Sequence, residues 1–242
     1  MMAYPTHRTT QLRVVAALAL LAAAGCRERA AAPEEALGPP SPECALRGLD
    51  RGAVPFVLET SEGPVRCTLD GARAPQAVAM VVGLAAGRAP FRDARSGRVV
   101  RRPYFEKMPF FRAIAGGLVQ TGCPVGNGTG HPGYRIPVDA DPTDAARLGR
   151  PGALFLAHYS PPPNRVDPAP PAPGDVIGTQ LVVGLADMSH MAGKVTVLGS
   201  CADLDVVRRI AAAVSGKERR VELRRALVAA DTPSAEACPA AR

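Results

Sequence analysis

Short apolar segments separated by turn residues follow one another from residue 56 onward. FVLET and VRCTL lie on either side of a Ser-Glu-Gly-Pro turn, a pattern that predicts a β-hairpin over residues 56–69. KVTVLG at residues 194–199 alternates between apolar and polar positions, as a half-buried strand does. Residues 104–119, 152–158 and 180–185 have the composition or length of strands. Together these segments predict a mainly β domain.

Two segments have helical spacing instead. Apolar residues recur every three or four positions in residues 75–87, which end on a glycine, and again in residues 204–214. The segment VELRRALV at residues 221–228 fits either a helix or a strand. Many short strands with two well-separated helices favour a closed antiparallel barrel.

The first 53 residues lack these patterns. Residues 1–25 hold basic residues and then an apolar run, Val14 to Ala24, that ends in small residues, which is typical of a secretory signal. The run is about half of the ~20 residues that span a bilayer. Its end, Ala-Ala-Gly-Cys, resembles a bacterial lipobox and predicts lipidation of Cys26; ordinary signal cleavage is the alternative. Residues 26–53, rich in Ala, Pro, Glu and Gly, are predicted to be a flexible tether. The domain is placed at residues 54–230 and a tail at residues 231–242.

Charge and cysteine content narrow the class of protein. The formal net charge is +7, but the arginines are mostly single and no basic patch contains aromatic residues, so no nucleic-acid partner is predicted. An exported chain permits disulfides, and an odd number of cysteines after Cys26 leaves one unpaired or paired between chains. There is no Cys-x-x-Cys and no paired His, so no metal site is predicted. Two pairs are candidates but stay open, one flanking the domain and one in predicted strands: Cys44 with Cys238, and Cys67 with Cys201.

One segment carries the candidate chemistry. FFRAIAGGLVQTGCPVGNGTGHPGY, residues 110–134, places Arg112 among apolar residues, Gln120 eight positions later and then a glycine-rich loop. It resembles the cyclophilin-type peptidyl-prolyl isomerases, whose pattern is roughly F-H-R-x-I-x-G-F-x-x-Q-G-G-D followed by G-x-G-x-G-G-P-G-Y. GTQLVV at residues 178–183 and DMSHMAGKVTVLG at residues 187–199 resemble two further family segments.

The resemblance implies a fold, an activity and a set of site residues. The fold would be a closed eight-stranded antiparallel barrel with two capping α-helices. The activity would be cofactor-free cis-trans isomerisation of proline-containing peptides or unfolded envelope proteins, by a monomer held at the membrane only through its lipid. Arg112 would be the catalyst. Substrate would be bound by residues on several segments: Gln120, Gln180, His158, Leu118, Val182, His190 and Met191.

Several groove positions depart from the family pattern. Phe111 replaces a His, Gly117 and Val182 replace pocket Phe residues, Cys123 replaces an Asp, and Val195 replaces a His. An alternative function is therefore a catalytically weak or inactive module that binds a proline-containing partner; a purely structural lipoprotein is a third. Residues 161–175 form an insertion with seven prolines, which is either a stiff lid beside the groove or a loop with no role.

Overall fold

The computed structural model describes residues 35–137, 141–157, 175–176, 178–228 and 237–240. Cys26, His158 and residues 161–174 of the insertion lie outside this part of the chain, so the hypotheses on them stay predictions. Within it the strands are β1 (Val54–Thr60), β2 (Gly63–Leu69), β3 (Phe91–Arg92), β4 (Val99–Val100), β5 (Glu106–Pro109), β6 (Arg112–Ile114), β7 (Leu118–Thr121), β8 (Ile136–Pro137), β9 (Ala153–Leu156), β10 (Asp175–Val176), β11 (Leu181–Gly184), β12 (Thr196–Cys201) and β13 (Glu222–Val228). The α-helices are α1 (Pro42–Ala45), α2 (Pro75–Ala85), α3 (Ala145–Leu148) and α4 (Leu204–Ser215).

Nine strands form one curled antiparallel sheet in the order β5-β13-β1-β2-β12-β9-β11-β7-β6. The predicted mainly β class is confirmed, but the count of eight strands is wrong, and the sheet has two ends instead of forming a closed barrel. The ends, β5 and β6, are consecutive in the chain. Between them, the N–H of Phe110 donates to Val221 O and that of Phe111 donates to Gln120 O. Residues 106–114 thus pair with β13 near one end of the strand order and with β7 near the other. The change of partner divides this segment into two short strands, β5 and β6.

The ambiguous segment at residues 221–228 is a strand, β13, because it pairs with β1 on one side and β5 on the other. The two predicted helices are α2 and α4. In α2, residues Ala77 to Ala85 are all buried, whereas α4 buries Val207 and Ile210 and exposes Asp205 and Arg208. Helix α2 is therefore a core helix and α4 a surface helix. Among the described residues no helix has the length and apolarity needed to cross a membrane.

Both faces of the central strands are buried. The main core, which includes Phe56, Phe105, Leu154 and most of α2, fills one side. The groove cluster lies on the other side of β7, β9, β11 and β12 and consists of Leu118, Leu148, Ala153, Phe155, Val182, Met188, Val195 and Val197. Because alternate side chains of a strand point to opposite faces, β9 and β11 need apolar residues at every position. This explains their continuous apolar sequences.

The predicted tether does not extend to residue 53. Residues 35–53 belong to the same compact unit as the rest of the domain, and Ala45 and Leu46 are buried in the main core. Gly83 of α2 permits this contact, because a Cβ there would lie 2.8 Å from Pro40 Cγ. Residues 35–53 contain only short apolar stretches, but these stretches are buried because they pack against α2.

The described part of the C-terminal tail also packs against the domain. Cys238 forms a disulfide with Cys44, its N–H donates to Arg88 O, and Ala240 forms a β-bridge with Pro40. The guanidinium of Arg88 donates to Ala45 O, and burial lowers the pKa of Arg88. The clasp of the two ends suggested by the cysteine positions is therefore confirmed, and the tail is part of the domain where it is described.

The second candidate disulfide is also present. Cys67 of β2 and Cys201 of β12 are direct cross-strand partners and are joined. Cys123 is the remaining described cysteine; it is free and buried.

Candidate active site

A cavity of about 680 Å³ opens above the groove cluster. Its base follows one cross-strand row, in which Arg112 pairs with Gln120, Gln120 with Val182, Val182 with Phe155 and Phe155 with Val197. Residues of a row share a face of the sheet. The sheet register thus brings Arg112 of β6 into the same groove as the apolar side chains of β9, β11 and β12. The lining residues are Arg112, Ile114, Gly117, Leu118, Gln120, Phe155, Ala157, Val182, Met188, His190, Met191, Lys194 and Val195.

Arg112 lies at the edge of this groove. It is an exposed residue, not a buried one as its apolar neighbours in sequence suggested. Its Nη1 donates to Gln120 Oε1 at 3.3 Å. Since a guanidinium has five N–H donors, this bond orients the group and leaves donors for a ligand.

The two predicted glutamines form a hydrogen-bonded chain behind Arg112. Gln120 Nε2 donates to Gln180 Oε1 at 2.8 Å, and Gln180 Nε2 donates to Gly128 O at 2.7 Å. Each glutamine is only 7% exposed. Gln120 lines the cavity, whereas Gln180 lies one step further back and is not among the lining residues. The chain connects the glycine-rich loop to the guanidinium of Arg112.

A short 3₁₀ turn, Ser189–Met191, forms another side of the groove and carries His190 and Met191 into the lining. Asp187 holds the start of this turn by accepting the Ser189 N–H at 2.7 Å. Hydrogen bonds from the Ser189 side chain and backbone lower the pKa of Asp187. Within the described residues no three His, Cys, Asp or Glu residues lie together as a metal site.

The comparison with known proteins agrees with this geometry. The family model for the cyclophilin type peptidyl-prolyl cis-trans isomerases matches residues 56–229. The chain belongs to this family. The probable peptidyl-prolyl cis-trans isomerase A of Mycobacterium leprae (strain TN) is 27% identical over 169 residues, which cover 68% of this chain and 85% of that protein. A peptidyl-prolyl cis-trans isomerase of Helicobacter pylori (strain ATCC 700392 / 26695) is 30% identical over 144 residues, covering 59% of this chain and 69% of its own.

Solved structures show the same fold. The crystal structure of a Cryptosporidium parvum cyclophilin type peptidyl-prolyl cis-trans isomerase matches with a TM-score of 0.56 and 18% identity, covering 74% of this chain and 99% of that one. A second crystal structure of that cyclophilin, in the presence of the dipeptide Ala-Pro, matches with a TM-score of 0.56 and 18% identity over 73% of this chain and 99% of its own.

The apolar floor of this cyclophilin is built differently from the expected pattern. Gly117 and Val182 stand where Phe residues were expected, and a Cβ at Gly117 would lie 3.0 Å from Ile114 Cγ2. Phe155, which is 3% exposed, lies in the groove as the cross-strand partner of Val182. Among the described lining residues, Phe155 of β9 is the one phenylalanine. Sequence reasoning missed Phe155, Met188 and Lys194; Phe155 reaches the groove through the pairing of β9 with β11.

Cys123 also has a structural explanation. Its sulfur accepts the N–H of Gly130 at 3.2 Å, and this hydrogen bond holds the glycine-rich loop in place. The carboxylate expected at this position would accept the same hydrogen bond. The preceding Gly122 has φ +88°, and a Cβ there would lie 2.0 Å from Thr179 O. This close approach requires glycine.

Proposed function

We propose that this cyclophilin-type peptidyl-prolyl cis-trans isomerase acts on folding proteins of the cell envelope, with Arg112 as its catalytic residue. The observation that carries the assignment is the placement of an oriented guanidinium at the edge of a cavity with an apolar floor. The roles of the individual residues follow from the chemistry of amide rotation.

Rotation about an X-Pro bond faces a barrier of ~18–20 kcal/mol because amide resonance must be broken. In the twisted transition state the prolyl nitrogen is pyramidal and carries a lone pair. A guanidinium N–H donated to that lone pair stabilises the transition state and not the planar ground state, which lowers the barrier. Arg112 has free donors for this bond, and its bond to Gln120 limits the orientations that it can take.

Proline would be held by the apolar floor. Three residues predicted to hold proline, Leu118, Val182 and Met191, line the cavity together with Phe155 and Met188. We propose that Gln120, His190 and His158 contact the peptide. Gln180 would act through Gln120, because Gln120 lines the cavity whereas Gln180 lies behind it and bonds to it.

Reduced activity is part of the proposal. A floor with one ring buries less of a proline than a floor with two, and losing a buried Phe contact removes about 1.5–3 kcal/mol of apolar burial. The same feature favours the second candidate function, a weak or inactive module that binds a proline-containing partner.

Two observations support an envelope location. The N-terminal sequence is typical of a lipoprotein signal, and two disulfides among the described residues suit an oxidising compartment. Action as a monomer is part of the proposal. We propose a protein anchored through lipidated Cys26 and facing the periplasm or the cell surface.

The decisive experiment compares cis-trans exchange rates of an X-Pro peptide, measured by NMR, with wild type and Arg112→Ala. We expect wild type to accelerate exchange and the variant to lose about 10- to 100-fold of kcat/KM, since a hydrogen bond to a charged group contributes about 1.5–3 kcal/mol. Arg220→Ala, which removes an exposed arginine outside the cavity, is the matched control. Equal acceleration by all three proteins would exclude Arg112 as the catalyst, and binding without acceleration by wild type would favour the binding module.

A further inference from the structure

Among the described residues, the charged side chains that line the groove are all cationic. Arg112 and Lys194 are cations and His190 adds an imidazole, and no described Asp or Glu lines the cavity. All three are exposed. A peptide bound along the groove therefore has cationic donors beside it and no lining carboxylate to repel an acidic side chain.

Lys194 is held at the rim. It follows the 3₁₀ turn, and its Nζ donates to His190 O at 3.1 Å. An ammonium has three N–H donors, so two remain for a ligand. Val195, directly after it, is buried in the groove cluster. The ammonium thus lies at the edge of the apolar floor, where it remains exposed.

The described acid beside the 3₁₀ turn is Asp187, which is not a lining residue. It accepts the N–H of Ser189, and its carboxylate also interacts electrostatically with His190. Among the described lining residues, no carboxylate competes with an incoming acid for Lys194.

We propose that this groove selects proline-containing segments that carry an acidic residue beside the proline, with Lys194 as the residue that determines the preference. The inference rests on the proposed function, because it specifies the substrate of the same groove. An acidic neighbour would meet Lys194, and Arg112 would favour the same sign of charge. Complementary charge raises the rate of association and the selectivity between ligands, and added salt weakens both effects.

The test uses two sets of three peptides. Within a set the peptides differ only in one residue next to proline, which is Glu, Gln or Lys. This residue comes before the proline in one set and after it in the other. Exchange is measured by NMR at low and high salt. We expect kcat/KM to fall in the order Glu, Gln, Lys in at least one set, with about three- to tenfold between Glu and Lys at low salt. The difference should shrink at high salt. Equal rates for the three peptides in both sets would overturn the preference and leave the isomerase activity standing.

Variants of Lys194 assign the effect. Lys194→Gln should reduce the Glu-to-Lys ratio, and Lys194→Glu should invert it. Arg220→Gln, which changes the net charge by the same amount as Lys194→Gln but lies outside the cavity, should keep the wild-type ratio. If Lys194→Gln also keeps that ratio, Lys194 does not determine the preference.

Failure of catalysis remains distinguishable from failure of the preference. If wild type accelerates exchange in no peptide, the proposed isomerase function is excluded. NMR titration of the same six peptides then measures the preference in binding. Tighter binding of a Glu peptide would support the inference, and equal dissociation constants would overturn it.

Discussion

The main core and the groove cluster share the strands β7, β9, β11 and β12 but differ in what covers them. The main core is sealed by α2 and the segment before β1, and its largest side chains, such as Phe56 and Phe105, are fully buried. In the described part of the chain, no helix as long as α2 covers the groove cluster, and its residues Phe155 and Met188 also line an open cavity. One face of the same sheet thus serves stability, and the other is left open for a ligand.

The difference is largest for two phenylalanines on opposite faces. Phe56→Ala should lower the free energy of unfolding by about 3–5 kcal/mol, because it leaves a closed cavity. Phe155→Ala should cost less stability, because water can fill the space from the groove, but it should lower kcat/KM for an X-Pro peptide about tenfold. Denaturant unfolding and NMR exchange measure the two quantities.

The two variants together test whether the main core and the groove cluster have separate roles. A kinetic loss in Phe56→Ala equal to that in Phe155→Ala, measured on folded protein, would show that the two faces are not separate. An unchanged kcat/KM in Phe155→Ala would remove Phe155 from the proline floor.

The next effect concerns the clasp on the main-core side. Cys44→Ser with Cys238→Ser should lower the free energy of unfolding by about 2–4 kcal/mol, because the disulfide closes a loop with a sequence separation of 194. The kinetic constants of the folded variant should not change, since Cys44 is next to Ala45 of the main core and neither cysteine lines the groove. Denaturant unfolding with and without reductant measures this effect, and Cys123→Ser serves as the control for a cysteine outside any disulfide. A changed KM in the double variant would couple the clasp to the groove.

The same division explains what could be predicted from the sequence. Arg112, Leu118 and Gln120 share one face because β6 and β7 form a short hairpin, in which Arg112 is opposite Gln120 and Ile114 is opposite Leu118. Their common location is therefore a local property of one segment. Phe155 reaches them only through the register of β9 with β11, a nonlocal property that no short pattern contains. The strand count failed for a related reason, because Phe110 and Phe111 bond to different strands and divide one predicted strand into two.

The packing of residues 35–53 was also beyond local patterns. Their composition resembles a linker, and only the surface of α2, with Gly83 beneath Pro40, makes them part of the core. Where the packed domain begins is therefore determined by contact with α2, which is distant in sequence from these residues.

The smallest expected effect comes from rebuilding the groove at Gly117. The variant Gly117→Phe places a ring next to the cavity, and its Cβ would lie 3.0 and 3.1 Å from Ile114 Cγ2 and Cβ. Ile114 is 48% exposed, so rotation of its side chain can relieve the contact with Cγ2, whereas the contact with Cβ requires a small shift of the chain. We expect the dissociation constant of a proline peptide to fall about threefold to fivefold, less than full burial of a Phe would give, because part of the ring stays exposed. NMR titration measures this change, with Ile114→Ala as the control that opens the space without adding a ring. Gly117→Phe combined with Ile114→Ala should bind more tightly than either single variant. If it binds more weakly than wild type, the ring of Phe155 already fills the site, and this cyclophilin has moved its aromatic floor from β7 and β11 to β9 instead of losing it.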